Sequence, residues 1–472
     1  MVKQSKVTFG LLVGSRAFFP AELAKQGREQ FLNLLKRQGY NTVALTPRQT
    51  NGGAVETYDD AKKCGELFSR NREKIDGIIV TLPNFGDEKA VAEAIKLSGL
   101  NVPILVHAFP DDPSKMSVKY RRDSFCGKLS VCNNFRQYNI GFTLTSNHTE
   151  DPSSPVFLRD LENFATACRV LRGLKNLRVG SVGARPAAFN TCRFSEKLFQ
   201  DSGITIETWD LSEVFGRAEQ IKSNDPRIKV KADSLTRYVE SKDVPKTSIE
   251  KMARLAIVLE EWIKANEISA LALQCWLSIE QFYGVMPCSV MSMLSSSLIP
   301  AACEVDVPGA VAMHVLQSAS GMPSALLDWN NNYGDDPNRA VMFHCSNLPA
   351  SFFEKPKMGY HGMIVDFVGK SHSYGTISGK ISPGPATLLR LSTDDFSGSI
   401  AGYVAAGEFT DDPLETFGGA GVLRMDDLQY LLQHICQMGF EHHVAVNKSQ
   451  HADGINEALT NYMGWDIYQH EG

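Results

Sequence analysis

The chain has 472 residues, more than a single hydrophobic core usually serves, so several domains are expected. With 43% hydrophobic and 21% charged residues it lies in the globular range, which excludes a disordered scaffold. A formal net charge of −5 without any Lys/Arg-rich block argues against nucleic acid and leaves a small molecule as the expected partner.

Residues 7–13, VTFGLLV, read as a strand, and Leu23, Phe31, Leu34 and Leu35 mark the apolar side of a helix over about 22–37. NTVALT, a second helix, DGIIVTL, a helix near 87–97 and VPILVHA continue the rhythm, which predicts a parallel sheet covered on both faces. A long helix is expected over about 156–172. A second α/β series then starts at LRVGSVGARP and runs through RFSEKLFQ, GITIETWDL, a polar insert, EKMARLAIVLEEWIKAN and SALALQCW. From about 350, HGMIVDFVG, GTISGKISPGPATLLRLS and GSIAGYVAAGEFT read as short alternating strands, followed by a helix at DDLQYLLQHICQM and a strand at HHVAVN. The expected architecture is two doubly wound α/β domains, 1–160 and 161–348, and a β-rich, barrel-like domain over 349–472.

Ten cysteines without a CxxC pair predict reduced thiols rather than a zinc knuckle or redox motif. The N-terminal apolar stretch is too short for a signal-peptide core, and no 18-residue apolar run follows, so a cytoplasmic protein without a membrane span is expected. GSVGARP lacks the spacing of either common phosphate loop.

Glu304 in PAACEVDVPGA and Asp328 in LLDWNNNY stand at ends of apolar runs, and His344 and His443 follow in VMFHCSN and EHHVAVN. Two carboxylates and two imidazoles make a plausible shell for one divalent cation, with room for a substrate carrying adjacent oxygens. Acids at such positions also cap helices and start turns, so spacing alone leaves both readings open.

The segments RPAAFNTCRFSEKLFQDSGITIETWDLSE, LQCW, PAACEVDVPGA and LLDWNNNY resemble the L-fucose and L-arabinose isomerase superfamily, nearest its shorter fucose-isomerase-like branch. The resemblance implies an aldose–ketose isomerase with two α/β domains and a β-rich domain, a divalent cation (usually Mn²⁺), and a homo-oligomer, hexamer or trimer. It implies Glu304 and Asp328 as ligands that also handle protons, and a C-terminal histidine ligand; neighbours on a strand face opposite ways, so only one of His442 and His443 reaches the metal, and His443-Val444-Ala445 fits the family's pattern better. His344 matches a histidine of the arabinose-isomerase pattern only. Arg16, Gln274 and Trp276 match substrate-contacting positions, with Arg185 and Arg193 as weaker candidates. The expected substrate is an L-fucose- or D-arabinose-like sugar or a 6-modified hexose such as sulfoquinovose, isomerised through an enediolate. The competing classes are a metal-dependent sugar hydrolase or lyase and a noncatalytic sugar-binding protein.

Overall fold

The computed structural model describes residues 6–471. They fall into two compact units: one runs to Arg172 and includes Glu457–Gly464, and the other comprises Gly173–Asn456 with the segment from Trp465 onward.

In the first unit, β1 (Thr8–Val13), β2 (Asn41–Ala44), β3 (Gly77–Leu82), β4 (Ile104–Ala108) and β5 (Thr143–Leu144) form a parallel sheet in the order β2-β1-β3-β4-β5. All six residues of β3 are buried because alternate side chains enter cores on opposite faces. Leu12, Val80 and Val106 pack on one face with helices Tyr58–Arg70, Glu88–Ser98 and Ser124–Gln137. Phe9, Leu11, Ile79 and Leu105 pack on the other with helices Ala21–Arg37 and Pro155–Leu174.

The second unit opens with another parallel sheet, β6 (Arg178–Val182), β7 (Thr205–Trp209), β8 (Ala270–Leu273) and β9 (Ala301–Cys303), ordered β7-β6-β8-β9. Its strand order reverses between β6 and β8, which is where ligand sites form in open α/β sheets. Then come β10 (Ser324–Asn332), β11 (Arg339–His344), β12 (Lys357–Tyr360), β13 (Tyr374–Lys380), β14 (Gly384–Asp394), β15 (Ser399–Phe409), β16 (Gly419–Arg424), β17 (His443–Asn447) and β18 (Asp466–His470). They build one mixed sheet, β12-β13-β16-β11-β10-β17-β14-β15-β18. A short extra pairing of β15 with β16 at Phe409 and Leu423 bends this sheet back on itself, but it is not a closed barrel of all its strands. A continuous core, with Leu271 and Cys303 from the parallel sheet and Leu327, Leu388 and Val444 from the mixed one, runs through the unit.

The boundary expected at 160/161 falls inside helix Pro155–Leu174, and that at 348/349 falls inside the second unit, where β10 and β11 share a sheet with β12–β18. Two local expectations differ from the structure. The polar insert after β7 holds two helices, Leu211–Gln220 and Pro226–Tyr238, whose apolar residues Val214, Ala218, Ile228 and Leu235 are buried. HGMIVDFVG is not a strand but a turn leading into the short helix Val365–Val368, with Met363 and Phe367 exposed; its alternation finds no partner edge to pair with.

Candidate functional site

Glu304 is the first residue after β9, at the C-terminal edge of the parallel sheet. Glu304 and Val305 both have left-handed backbone, at φ +61° and +58°, a conformation costing roughly 1–2 kcal/mol per residue bearing a Cβ. This tight reversal feeds the helix Val307–Ser320, whose cap is Asp306: its carboxylate accepts the Gly309 N–H at 2.9 Å. A Cβ at Gly309 would lie 2.6 Å from Asp306 Oδ2, so the close seating of that carboxylate requires glycine there. The capping role open to Glu304 in the sequence thus belongs to Asp306, and Glu304 is free for other contacts.

Asp328 sits within β10, directly opposite Phe343 of β11 on one side and His443 of β17 on the other. The strand continues through the asparagines to Asn332, with a bulge between Trp329 and Asn331, instead of ending at Asp328 as its setting suggested. His344 closes β11. These placements converge. His443 Nε2 lies 3.0 Å from Glu304 Oε2 and 3.6 Å from Asp328 Oδ1, and ligand-type atoms of Glu304, His344 and His443 all lie within 4.8 Å of one another.

The two carboxylate oxygens facing His443, Glu304 Oε2 and Asp328 Oδ1, are buried without an aligned hydrogen-bond donor. Two buried, unsatisfied carboxylate oxygens that converge on an imidazole nitrogen are what a divalent cation would complete, and the oxygen/nitrogen set suits Mn²⁺ or a similar ion. Among the described residues the same donors also form overlapping groups with Cys192 and Asp306, and with His442.

Electrostatics bind the cluster together. Burial would raise the Glu304 carboxyl, but His443, the His344 charge and Trp276 outweigh it and hold it below the usual carboxylate range. Burial would lower His443, but contacts with Asp306, Cys192 and Glu304 push it well above the usual imidazole range. Burial and the charge on His443 lower His442, the more exposed of the pair, whose Nε2 is 3.9 Å from Asp328 Oδ1.

Trp276, just beyond β8, donates its indole N–H to Glu304 Oε1 at 2.7 Å. Its ring also forms a wall with Phe189, which contacts His442 and His443 as well. The Gln274 amide is engaged within the fold: it accepts from Ala184 N at 2.9 Å and donates to Ser278 Oγ at 3.0 Å, tying the loop after β6 to the loop after β8. Arg185 donates to the Pro186, Ala187 and Phe189 carbonyls and braces the same loop, while Arg193 donates to Asn190. Arg16 belongs to the first unit, where it pairs with Glu88 and stacks 4.3 Å over Phe85.

Sequence reasoning overlooked Asp306, Arg390, Glu441, Cys192 and Phe189. Asp306 carried a signal, since Asp-Val-Pro-Gly reads as a helix cap followed by proline. Arg390 carried another, a charge inside the apolar run ATLLRLS.

Comparison with known proteins puts the chain among the aldose–ketose isomerases of sugars, intramolecular oxidoreductases that move a carbonyl between neighbouring carbons. Specifically, it belongs to the fucose/sulfoquinovose isomerase family. The family model described as fucose/sulfoquinovose isomerase, N-terminal domain, matches residues 10–175, and that described as L-fucose isomerase, C-terminal domain, matches 342–471. A sulfoquinovose isomerase of Priestia aryabhattai is 24% identical over 332 residues, 70% of this chain and 70% of that protein. One from Clostridium sp. (strain MSTE9) is 26% identical over 235 residues, covering 49% of this chain and 52% of its own length. Among solved structures, a periplasmic solute-binding protein from Actinobacillus succinogenes 130z with bound D-allose aligns at 13% identity over 67% of this chain and 93% of its own, with a TM-score of 0.17, too low to bear on fold or function.

Proposed function

We propose that this isomerase depends on a divalent cation, Mn²⁺ by preference, and acts on sulfoquinovose or a closely related 6-substituted aldohexose. The observation that carries the metal dependence is the convergence of Glu304 Oε2, Asp328 Oδ1 and His443 Nε2, with His344 beside them. The substrate class rests on the names of the relatives.

When bound by Glu304, Asp328, His344 and His443, the cation would polarise the oxygens on C1 and C2 and stabilise negative charge there. The chain's own groups do the rest. One of the two carboxylates takes the proton from C2, and the electron pair left behind forms the C1–C2 double bond as the C1 oxygen gains a proton. That proton comes from O2, relayed by the other carboxylate, so C2 becomes the carbonyl as the first carboxylate returns its own proton to C1. Trp276 holds Glu304 in place for this exchange. Phe189 and Trp276 shield the site from water. Gln274 and Trp276 are proposed as substrate contacts, with Gln274 exchanging its present partners for sugar hydroxyls, and Arg16 as a contact to the sugar held by a neighbouring copy in the oligomer.

The decisive experiment is incubation of metal-stripped and Mn²⁺-reconstituted protein with sulfoquinovose, L-fucose and D-arabinose in D₂O, read by NMR. Conversion of sulfoquinovose to the matching 2-ketose, with unchanged skeleton and deuterium at C1, is expected only after Mn²⁺ is added. Addition of water across a bond would reveal a hydrolase, two fragments a lyase, and binding without turnover a sugar-binding protein. We also propose a cytoplasmic homo-oligomer, a hexamer or trimer, to be measured by light scattering.

A further inference from the structure

His443 offers two ring nitrogens, and the fold decides which one faces the cluster. Its Nδ1–H donates to Asp306 Oδ2 at 2.8 Å. The same oxygen accepts from Arg390 Nη1 at 2.6 Å, while Oδ1 accepts the Gly309 N–H. Arg390 is fully buried on β14, and its Nε donates to Glu441 Oε2 at 2.9 Å. The other Glu441 oxygen accepts from Ser392 at 2.8 Å. A four-member chain, Glu441–Arg390–Asp306–His443, therefore runs through the core and ends on one imidazole.

We infer that Asp306, clamped by Arg390 and Glu441, is a positioning residue that keeps the proton of His443 on Nδ1 and so presents Nε2 as the free nitrogen of the metal cluster. The inference rests on the metal reading above. Asp306 accepts from three donors and needs to donate to none, a pattern only an ionised carboxylate meets. An Asn at this position, in whichever orientation, sets an N–H against at least one of the Arg390, Gly309 and His443 donors. If that N–H faces Nδ1, the imidazole must take its proton on Nε2 and loses the nitrogen aimed at Glu304 and Asp328. Burying a guanidinium is costly without close partners, and here it is flanked by two carboxylates, which holds Asp306 Oδ2 in place for His443. Ligand histidines are commonly oriented by a carboxylate on the other nitrogen, and removal of that carboxylate typically weakens metal affinity by roughly 10–100-fold. The present case adds the buried Arg–Glu pair that immobilises the carboxylate itself.

The test is calorimetric titration of metal-free wild type and Asp306→Asn with Mn²⁺, beside thermal melts of both. The expected result is a folded variant with affinity lower by about 10–100-fold. A variant that melts lower yet binds Mn²⁺ like wild type would reduce Asp306 to a helix cap and overturn the inference alone. A wild type that takes up no Mn²⁺ overturns the metal reading and this inference together. Should Asp306→Asn fail to fold, magic-angle-spinning NMR of ¹⁵N-histidine-labelled wild type loaded with Zn²⁺ decides. The ring absent from the His443→Gln spectrum should carry its proton on Nδ1 and its metal on Nε2, and the reverse assignment overturns the inference.

Discussion

Asp328 and His443 are direct partners on neighbouring antiparallel strands, and the Nε2 of that histidine lies 3.6 Å from Asp328 Oδ1. The pairing matters because strand register, once fixed by the buried faces of β10 and β17, leaves the two side chains no independent choice of position. Glu304 reaches the same imidazole from a different sheet, so the two acids approach it from separate supports.

Glu304→Gln and Asp328→Asn preserve size while removing a proton acceptor. Turnover should fall at least ~100-fold in each, the usual loss for a general base, with the far-UV circular dichroism spectrum unchanged. A variant that retains Mn²⁺ and near-normal turnover would strip that residue of a catalytic role.

Chelation should abolish turnover and lower the melting temperature, because an ion bound only by the folded state stabilises it by mass action. Mn²⁺ is expected to restore both better than Ca²⁺, whose larger and looser shell suits this oxygen/nitrogen set poorly. Scanning calorimetry across a Mn²⁺ titration checks this, and a melting point indifferent to EDTA would contradict it.

Trp276→Phe keeps the aromatic wall but deletes the donor to Glu304 Oε1. A hydrogen bond to a charged acceptor contributes about 1.5–3 kcal/mol, so a modest loss of stability is expected together with a fall in kcat larger than any change in KM. Steady-state kinetics showing only a KM effect would make Trp276 a substrate contact alone.

Glu280 gives the pH prediction. It is fully buried, both of its carboxylate oxygens lack a hydrogen-bond partner among the described residues, and burial pushes its pKa up to about 8. An unfolded Glu titrates near 4.3, so between about 4.3 and 8 the folded chain holds a proton that the unfolded chain has lost. The group's contribution is therefore complete below the unfolded value and declines as pH rises toward 8, by up to about 1.4 kcal/mol per pH unit. Glu280→Gln should flatten the stability profile between pH 5 and 8 and raise the melting temperature most at the alkaline end. Parallel profiles for the two proteins would show that Glu280 is not the group responsible.

Much of the fold was legible because its strands are short apolar runs. GIIVTL and ALAL, buried at every position, carry the mark of a covered parallel sheet. Glu304, Asp328, His344 and His443 were legible as residue types in suggestive settings, and the structure brings all four together. The buried clamp was not, since Arg390 and Glu441 lie far along the chain from Asp306 and their meeting depends on the register of β14 beside β17. His442 and His443, neighbours on the chain, part in the fold: the second is buried in the cluster while the first is half-exposed and bonded to Thr191. The helices after β7 were hidden by polar outward faces that dilute their apolar residues below what reads as a core element.

The paired left-handed residues at the end of β9 set a conflict between durability and activity. Val305 is a branched residue in a conformation that glycine adopts freely, so Val305→Gly relieves local strain in the native chain but widens the unfolded ensemble and slackens the hinge that aims Glu304. A selection for heat resistance alone has reason to sample replacements at 305, whereas a selection for turnover has reason to reject the looser ones. Laboratory evolution under the two pressures should therefore diverge at this position before it diverges in the sheets around it.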